Sequence, residues 1–258
     1  MRFAHEQWAA ATALVLSLGT ADLADDVTTL ITYGLETGFD LGSGDQPDGV
    51  LLSIIDPADL VDVAVTLPSA PTGLDQVQVF PYVDLGDEGS LVFSLPAITP
   101  ATPSAALPAI EALVAGASYE LRAVAEPSDG DGVGVEGTVA FLRASTLGDS
   151  LTFSDWLPRP TGVSAAEGVY QFTPVAGASL HSAQVEDSDG NPVWHVLLLD
   201  GRTSFSLPTV TPDPFPTGDA TLFVSASVFP DFDPMDFSGD TLGDTVTHSS
   251  RTALLLSR

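Results

Sequence analysis

The sequence contains no cysteine and no lysine. The missing thiols exclude disulfides, thiol nucleophiles, thiolate metal sites and the acylated cysteine of a bacterial lipoprotein. The missing lysine excludes a serine–lysine dyad and a lysine Schiff base. Positive charge of any kind is scarce: seven basic residues, all arginine, stand against 35 acidic ones, for a formal net charge of −28. Such a surface repels phosphate backbones and anionic lipid headgroups, so neither nucleic acid nor a peripheral membrane surface is an expected partner. Two readings of the acidity stay open: a soluble surface adapted to salty, cation-rich water, or cation binding. Long apolar runs are missing too. Residues 9–18 make the longest, about half the ~20 residues that span a bilayer, so no integral membrane segment is expected in the mature chain.

What is present suits a folded chain that turns often. Of its 258 residues, 44% are hydrophobic and 16% charged, with 23 glycines and 20 prolines. A disordered chain has too little apolar surface to offset the entropy of ordering. Arg2 and the apolar residues 9–18, followed by small residues, read as a secretory leader cleaved after Ala21 or Ala24, with Ala21 favoured by the small Gly19 before it. The expected location is therefore extracellular, periplasmic or at the cell surface.

From residue 49 onward, short apolar or alternating runs follow one another between Pro, Gly and Asp clusters. They lie at 50–55, 61–67, 77–83, 90–95, 119–125 and 138–144, then at 169–173, 180–185, 193–199, 203–207, 220–228 and 252–256. Their lengths and β-branched content predict strands. One helical turn or two is expected at 105–114, with Pro108 near its start. Asp189-Gly190, between two alternating runs, predicts a two-residue hairpin turn. In that register Val185 faces Trp194, Ala183 faces Val196, His181 faces Leu198 and Gln184 faces His195. Ala183, Val185, Trp194, Val196 and Leu198 then share a core face.

The two halves resemble each other. The octapeptide Phe93–Pro100 recurs as Phe205–Pro212, and Ala117–Pro127 parallels Ala220–Pro230 in the same order. The chain thus divides into a leader at 1–21, a linker or edge segment at 22–48, a first domain at 49–146 and a second at 150–258, joined near 147–154. Residues 113–125, Leu-Val-Ala-Gly-Ala-Ser-Tyr-Glu-Leu-Arg-Ala-Val-Ala, resemble the late strands of a fibronectin type III domain. That resemblance implies two tandem antiparallel β-sandwich domains of the fibronectin III or immunoglobulin kind. It also implies a tyrosine corner at Tyr119, with Leu121, Ala123 and Ala125 facing the core. Leu222 stands in the place of Tyr119 in the second half.

Catalytic signals are sparse. His181, His195 and His248 show no metal-binding spacing, and the first two fall on opposite faces of their hairpin. No Gly-x-Ser-x-Gly elbow occurs, although a serine–histidine–aspartate set assembled from distant positions stays open. Phe215, Phe229, Phe232 and Phe237 lie in loops rich in Pro and Asp, where ligands are often met. Calcium is the cofactor to weigh. Asp129 and Asp131, then Asp187, Asp189 and Asn191, offer oxygen ligands. Asp231, Asp233, Asp236, Asp240 and Asp244 form the densest group. The expected function is a non-enzymatic secreted or cell-surface structural or adhesive protein with a protein or glycan partner. The alternatives are a carbohydrate-binding or enzyme-accessory module, and a hydrolase with a dispersed site.

Overall fold

A computed structural model describes residues 11–17, 32–39, 53–54, 60–84, 90–92, 98–109, 116–128, 136–166, 168–199, 201–207, 219–230, 232–233 and 245–257. The fold is all-β with antiparallel pairing almost throughout. It forms two compact units, Met1–Thr66 with Phe80–Leu121 and Arg143–Thr152, and Leu67–Val79 with Arg122–Leu142 and Phe153–Arg258. Each unit thus draws on separate stretches of chain, and residues 147–154 contribute to both.

In the first unit, β1 (Ala11–Ser17), β2 (Thr32–Phe39) and β3 (Ser53–Ile54) form one antiparallel sheet. Ala11–Ser17 falls within the apolar run expected of a leader and is extended here. β4 (Leu60–Thr66) pairs antiparallel with β7 (Ser104–Pro108) and parallel with β10 (Ser150–Thr152). β5 (Gln76–Asp84) pairs through its last residues with β6 (Ser90–Val92). Val63, Val65, Val83, Leu107, Tyr119 and Leu121 are buried here. The helical turn expected at 105–114 is replaced over its first residues by β7. Leu107 and Pro108 are buried there while Ser104 is exposed, so pairing and burial along β4 outweigh local helix propensity. Tyr119, in β8 (Ser118–Glu126), donates its hydroxyl to the Pro108 carbonyl at 2.7 Å.

In the second unit the larger sheet runs β14 (Pro192–Leu198), β13 (Leu180–Asp187), β16 (Asp219–Val228), β17 (His248–Ser257), β9 (Gly137–Ala144), β8, β5. A smaller sheet holds β11 (Thr161–Ala166), β12 (Val169–Thr173) and β15 (Ser204–Ser206). The core lies between them. Tyr170 and Phe172 of β12 pack with Ala183, Val185, Leu198, Leu222, Val224 and Leu256, and Trp194 and Phe205 close its side. Tyr119, Leu121 and Ala123 of β8 are buried, as are Leu222, Val224 and Ala226 at the aligned positions of β16, while Ala125 is buried and its counterpart Val228 half-buried. In β16 the alternation puts the core residues on one face and Phe223 on the other.

The β13–β14 register is the expected one: Val185 faces Trp194, Ala183 faces Val196, His181 faces Leu198 and Gln184 faces His195. The turn is wider than two residues. Asp187 N donates to the Asn191 carbonyl and Gly190 N to the Asp187 carbonyl, with Gly190 at φ +81°. The Asp187 carboxylate accepts from Asp189 N, Asn191 N and the Asn191 amide, which fixes the longer loop. A bulge between Val185 and Glu186 absorbs the extra residue and restores the pairing beyond it.

Candidate functional site

The second unit holds the most developed surface site. Residues 153–160 leave β10 without regular structure and run along the larger sheet. An irregular segment leaves backbone groups to satisfy, and hydroxyls from two strands meet them. Thr138 donates to the Leu157 carbonyl at 3.0 Å, Ser250 to the Pro158 carbonyl at 2.7 Å and Thr252 to the Pro160 carbonyl at 2.7 Å. Arg159 adds an ion pair with Glu136 at 2.7 Å, and the other oxygen of Glu136 accepts from Ala253 N at 3.0 Å. Four contacts therefore hold a segment that has no ladder of its own, and the Ala253 amide fixes the carboxylate behind one of them.

So held, the segment forms one wall of a groove of about 520 Å³ whose other wall is the turn at 68–74. That turn is closed by Leu74 N donating to the Pro71 carbonyl, with Gly73 at φ +79°. Leu74 anchors it by packing with Val77 and Ala125, and Trp156 lies against the same cluster. The groove presents the half-buried Trp156 beside Pro68, Pro71 and Pro158, with Asp155 exposed and Arg159 half-buried. Trp156 Nε1 is buried and donates to no acceptor among the described residues. A second cavity, about 490 Å³, lies over β8, β9, β16 and β17 and is lined by Glu126, Glu136, Ser225, Ser249 and Arg251 among others.

At the start of the same segment, Ser154 Oγ lies 2.8 Å from His248 Nε2, and His248 Nδ1 lies 3.1 Å from the Thr247 hydroxyl. Burial pulls the His248 pKa below the ordinary imidazole value, so the ring is held neutral and one nitrogen accepts. This is the resting geometry of a nucleophile–base pair. The group behind the imidazole is a hydroxyl, however, and neither Ser154 nor His248 lines either cavity. The contact anchors residue 154 to β17. His181 plays a similar part inside the core, where its Nε2 accepts from Val175 N at 3.0 Å and burial lowers its pKa.

Among the described residues, Arg122, Arg143, Arg159 and Arg251 are each engaged by a carboxylate or an aromatic ring. Arg251 lies 3.5 Å above the Phe223 ring and pairs with Glu186 at 3.0 Å, which explains how Phe223 is buried on the face opposite the core. Arg143 pairs with Glu120 at 2.6 Å, and Arg122 lies over Phe141.

Of the calcium candidates, Asp233 is described and exposed, while Asp231, Asp236, Asp240 and Asp244 lie outside the described residues, as do Asp129 and Asp131. Among the described residues no three His, Asp or Glu side chains gather as a metal site. The Asp187 carboxylate is committed to its turn, and its hydrogen bonds from the Asn191 backbone and side chain lower its pKa. Phe229 and Phe232 pack on one another at 5.8 Å; Phe215 and Phe237 lie outside the described residues. Sequence reasoning did not find Trp156, Arg159, Glu136 or the Ser154–His248 contact. The dense run Trp156-Leu157-Pro158-Arg159-Pro160 was the available signal, since two prolines so close forbid a central strand. Among the described residues no helix is long and apolar enough to cross a membrane. No family model matches the chain, and no curated protein matches it.

Proposed function

We propose that this chain is an exported, non-enzymatic structural or adhesive protein of the cell surface or extracellular medium, built from two tandem sandwich repeats. The supporting observation is the shared wiring of its two halves. Strands β4–β9 place the first and fourth side by side and order the others β6-β5-β8-β9. Strands β12–β17 do the same, as β12-β15 and β14-β13-β16-β17. Two six-strand blocks with one connection pattern are what duplication of a sandwich leaves behind, and the matched sequences of β8 and β16 keep the same inward phase. The Tyr119–Pro108 bond supports the fibronectin III-like reading of the first repeat. Repeated sandwiches suit spacing and display, with contacts made by the loops and grooves they carry. The Ser154–His248 contact is spent on anchoring, which favours binding over hydrolysis.

Fractionation of source cells with intact-mass analysis tests the reading. A surface or medium species lacking residues 1–21, and so lacking β1, is expected. Recovery of a cytoplasmic species that retains Arg2 overturns it. The Trp156 groove favours a second reading, a secreted carbohydrate-binding module.

A further inference from the structure

We propose that the groove between residues 68–74 and 153–160 binds a neutral sugar ring of a glycan. It extends the carbohydrate-binding reading and does not depend on export.

Three properties of the groove lead there. The first is rigidity. Both walls are irregular backbone, yet one is held by Thr138, Ser250, Thr252 and Glu136 and the other by its Leu74 anchor. Side chains on such walls are in place before a ligand arrives, which lowers the entropic cost of binding. The groove volume of about 520 Å³ also falls inside the roughly 300–1,000 Å³ of small-molecule sites.

The second is chemistry. A pyranose has apolar C–H faces and an equatorial rim of hydroxyls that both donate and accept. Trp156 with Pro68, Pro71 and Pro158 supplies an apolar surface. Asp155 supplies an acceptor, Arg159 a donor, and Ser69, Thr72 and Thr161 hydroxyls of either sense. A proline-rich peptide is the competing occupant. It needs successive aromatic ridges along its length, and this groove offers a single aromatic side chain.

The third is charge. A protein of net charge −28 repels sulfated and uronate polymers, and the exposed Asp155 adds to that at the rim. The ligand is therefore a neutral sugar.

Binding of the full chain to immobilised oligomers of glucose, mannose, galactose and N-acetylglucosamine, with sulfated and uronate oligomers and a polyproline peptide alongside, tests this. At least one neutral oligomer is expected to bind and the anionic ones not. Asp155→Ala, an exposed change that leaves the core intact, should weaken binding about tenfold or more, the loss of one charge-assisted hydrogen bond. Trp156→Phe should weaken it while keeping an apolar ring against Leu74, with the melting temperature measured as a folding control. Absence of neutral-sugar binding, binding unchanged by Asp155→Ala, or binding of the peptide alone overturns the proposal. Cell fractionation decides export separately, so the two readings fail independently.

Discussion

Replacing Tyr119 with phenylalanine removes a single oxygen from a buried position and leaves the ring in place. The ring is 1% exposed, and its hydroxyl donates to the Pro108 carbonyl at 2.7 Å. No cavity of consequence opens, so the change isolates one hydrogen bond from packing. Its net worth is about 1 kcal/mol, rising toward about 3 kcal/mol if the carbonyl finds no water in the space left behind. For a chain of this size each kcal/mol lowers the melting temperature by roughly 2–4 °C. Urea titration should show a lower midpoint with unchanged slope, which separates lost stability from altered compactness. Leu222→Phe is the matched control. Leu222 is fully buried and makes no such bond, so the larger ring acts by overpacking, at about 1–3 kcal/mol. An unchanged midpoint for Tyr119→Phe would refute the corner, and with it the strongest support for the fibronectin III-like reading.

Acid should weaken the fold through His181. Its folded pKa lies below the ordinary 6.5, so as pH falls through 6.5 the unfolded chain takes the proton first and stability drops. Protonation also removes the acceptor for Val175 N. The urea midpoint of the native chain should fall between pH 7.5 and 5.5 more than that of His181→Gln; equal falls would sink the assignment. Gly137→Ala should cost about 1–3 kcal/mol, because a Cβ there would lie 2.8 Å from the Ala125 carbonyl oxygen, which is backbone and cannot step aside cheaply. A melting temperature equal to the native value would contradict that contact. Asp187→Ala should lower the midpoint near neutral pH, and the difference from the native chain should persist down to the ordinary 3.8 and shrink only as the pH falls below it. The carboxylate, with its pKa lowered from 3.8, contributes its hydrogen bonds only while ionised.

Much of the fold was readable because two-residue periodicity survives wherever one face of a strand meets the core. The runs at 61–67, 77–83, 119–125, 169–173 and 220–228 all became strands, and the β13–β14 register expected from the Asp189-Gly190 turn is the observed one, because the bulge offsets the wider turn. β7, β10 and β11 escaped for a shared reason. They are three to six residues long and lie beside single partners, so their pairing comes from tertiary contact and not from pattern. The hairpin turn escaped because the Asp187 side chain competes with the tight turn that Asp-Gly favours. The candidate groove was hidden for a different reason. Its residues come from 68–74, Thr138 and 153–161, far apart in the chain, and nothing local in any of these stretches announces the others.

Glu136 stands immediately before β9, where that strand's partnership with β17 stops. β17 follows β16 for ten residues but follows β9 only from His248 to Arg251. The next amide on that side, Ala253 N, is taken by the Glu136 carboxylate. Beyond it the chain reads Ala-Leu-Leu-Leu, with Leu255 69% exposed, the composition of a segment prone to stack with copies of itself. A side-chain anion that occupies the amide and repels an incoming carbonyl works as a molecular doorstop at this margin. Glu136→Ala should therefore yield larger, concentration-dependent species by light scattering than the native chain does, and a mutant whose scattering matches the native chain's would show that the margin is guarded by something else.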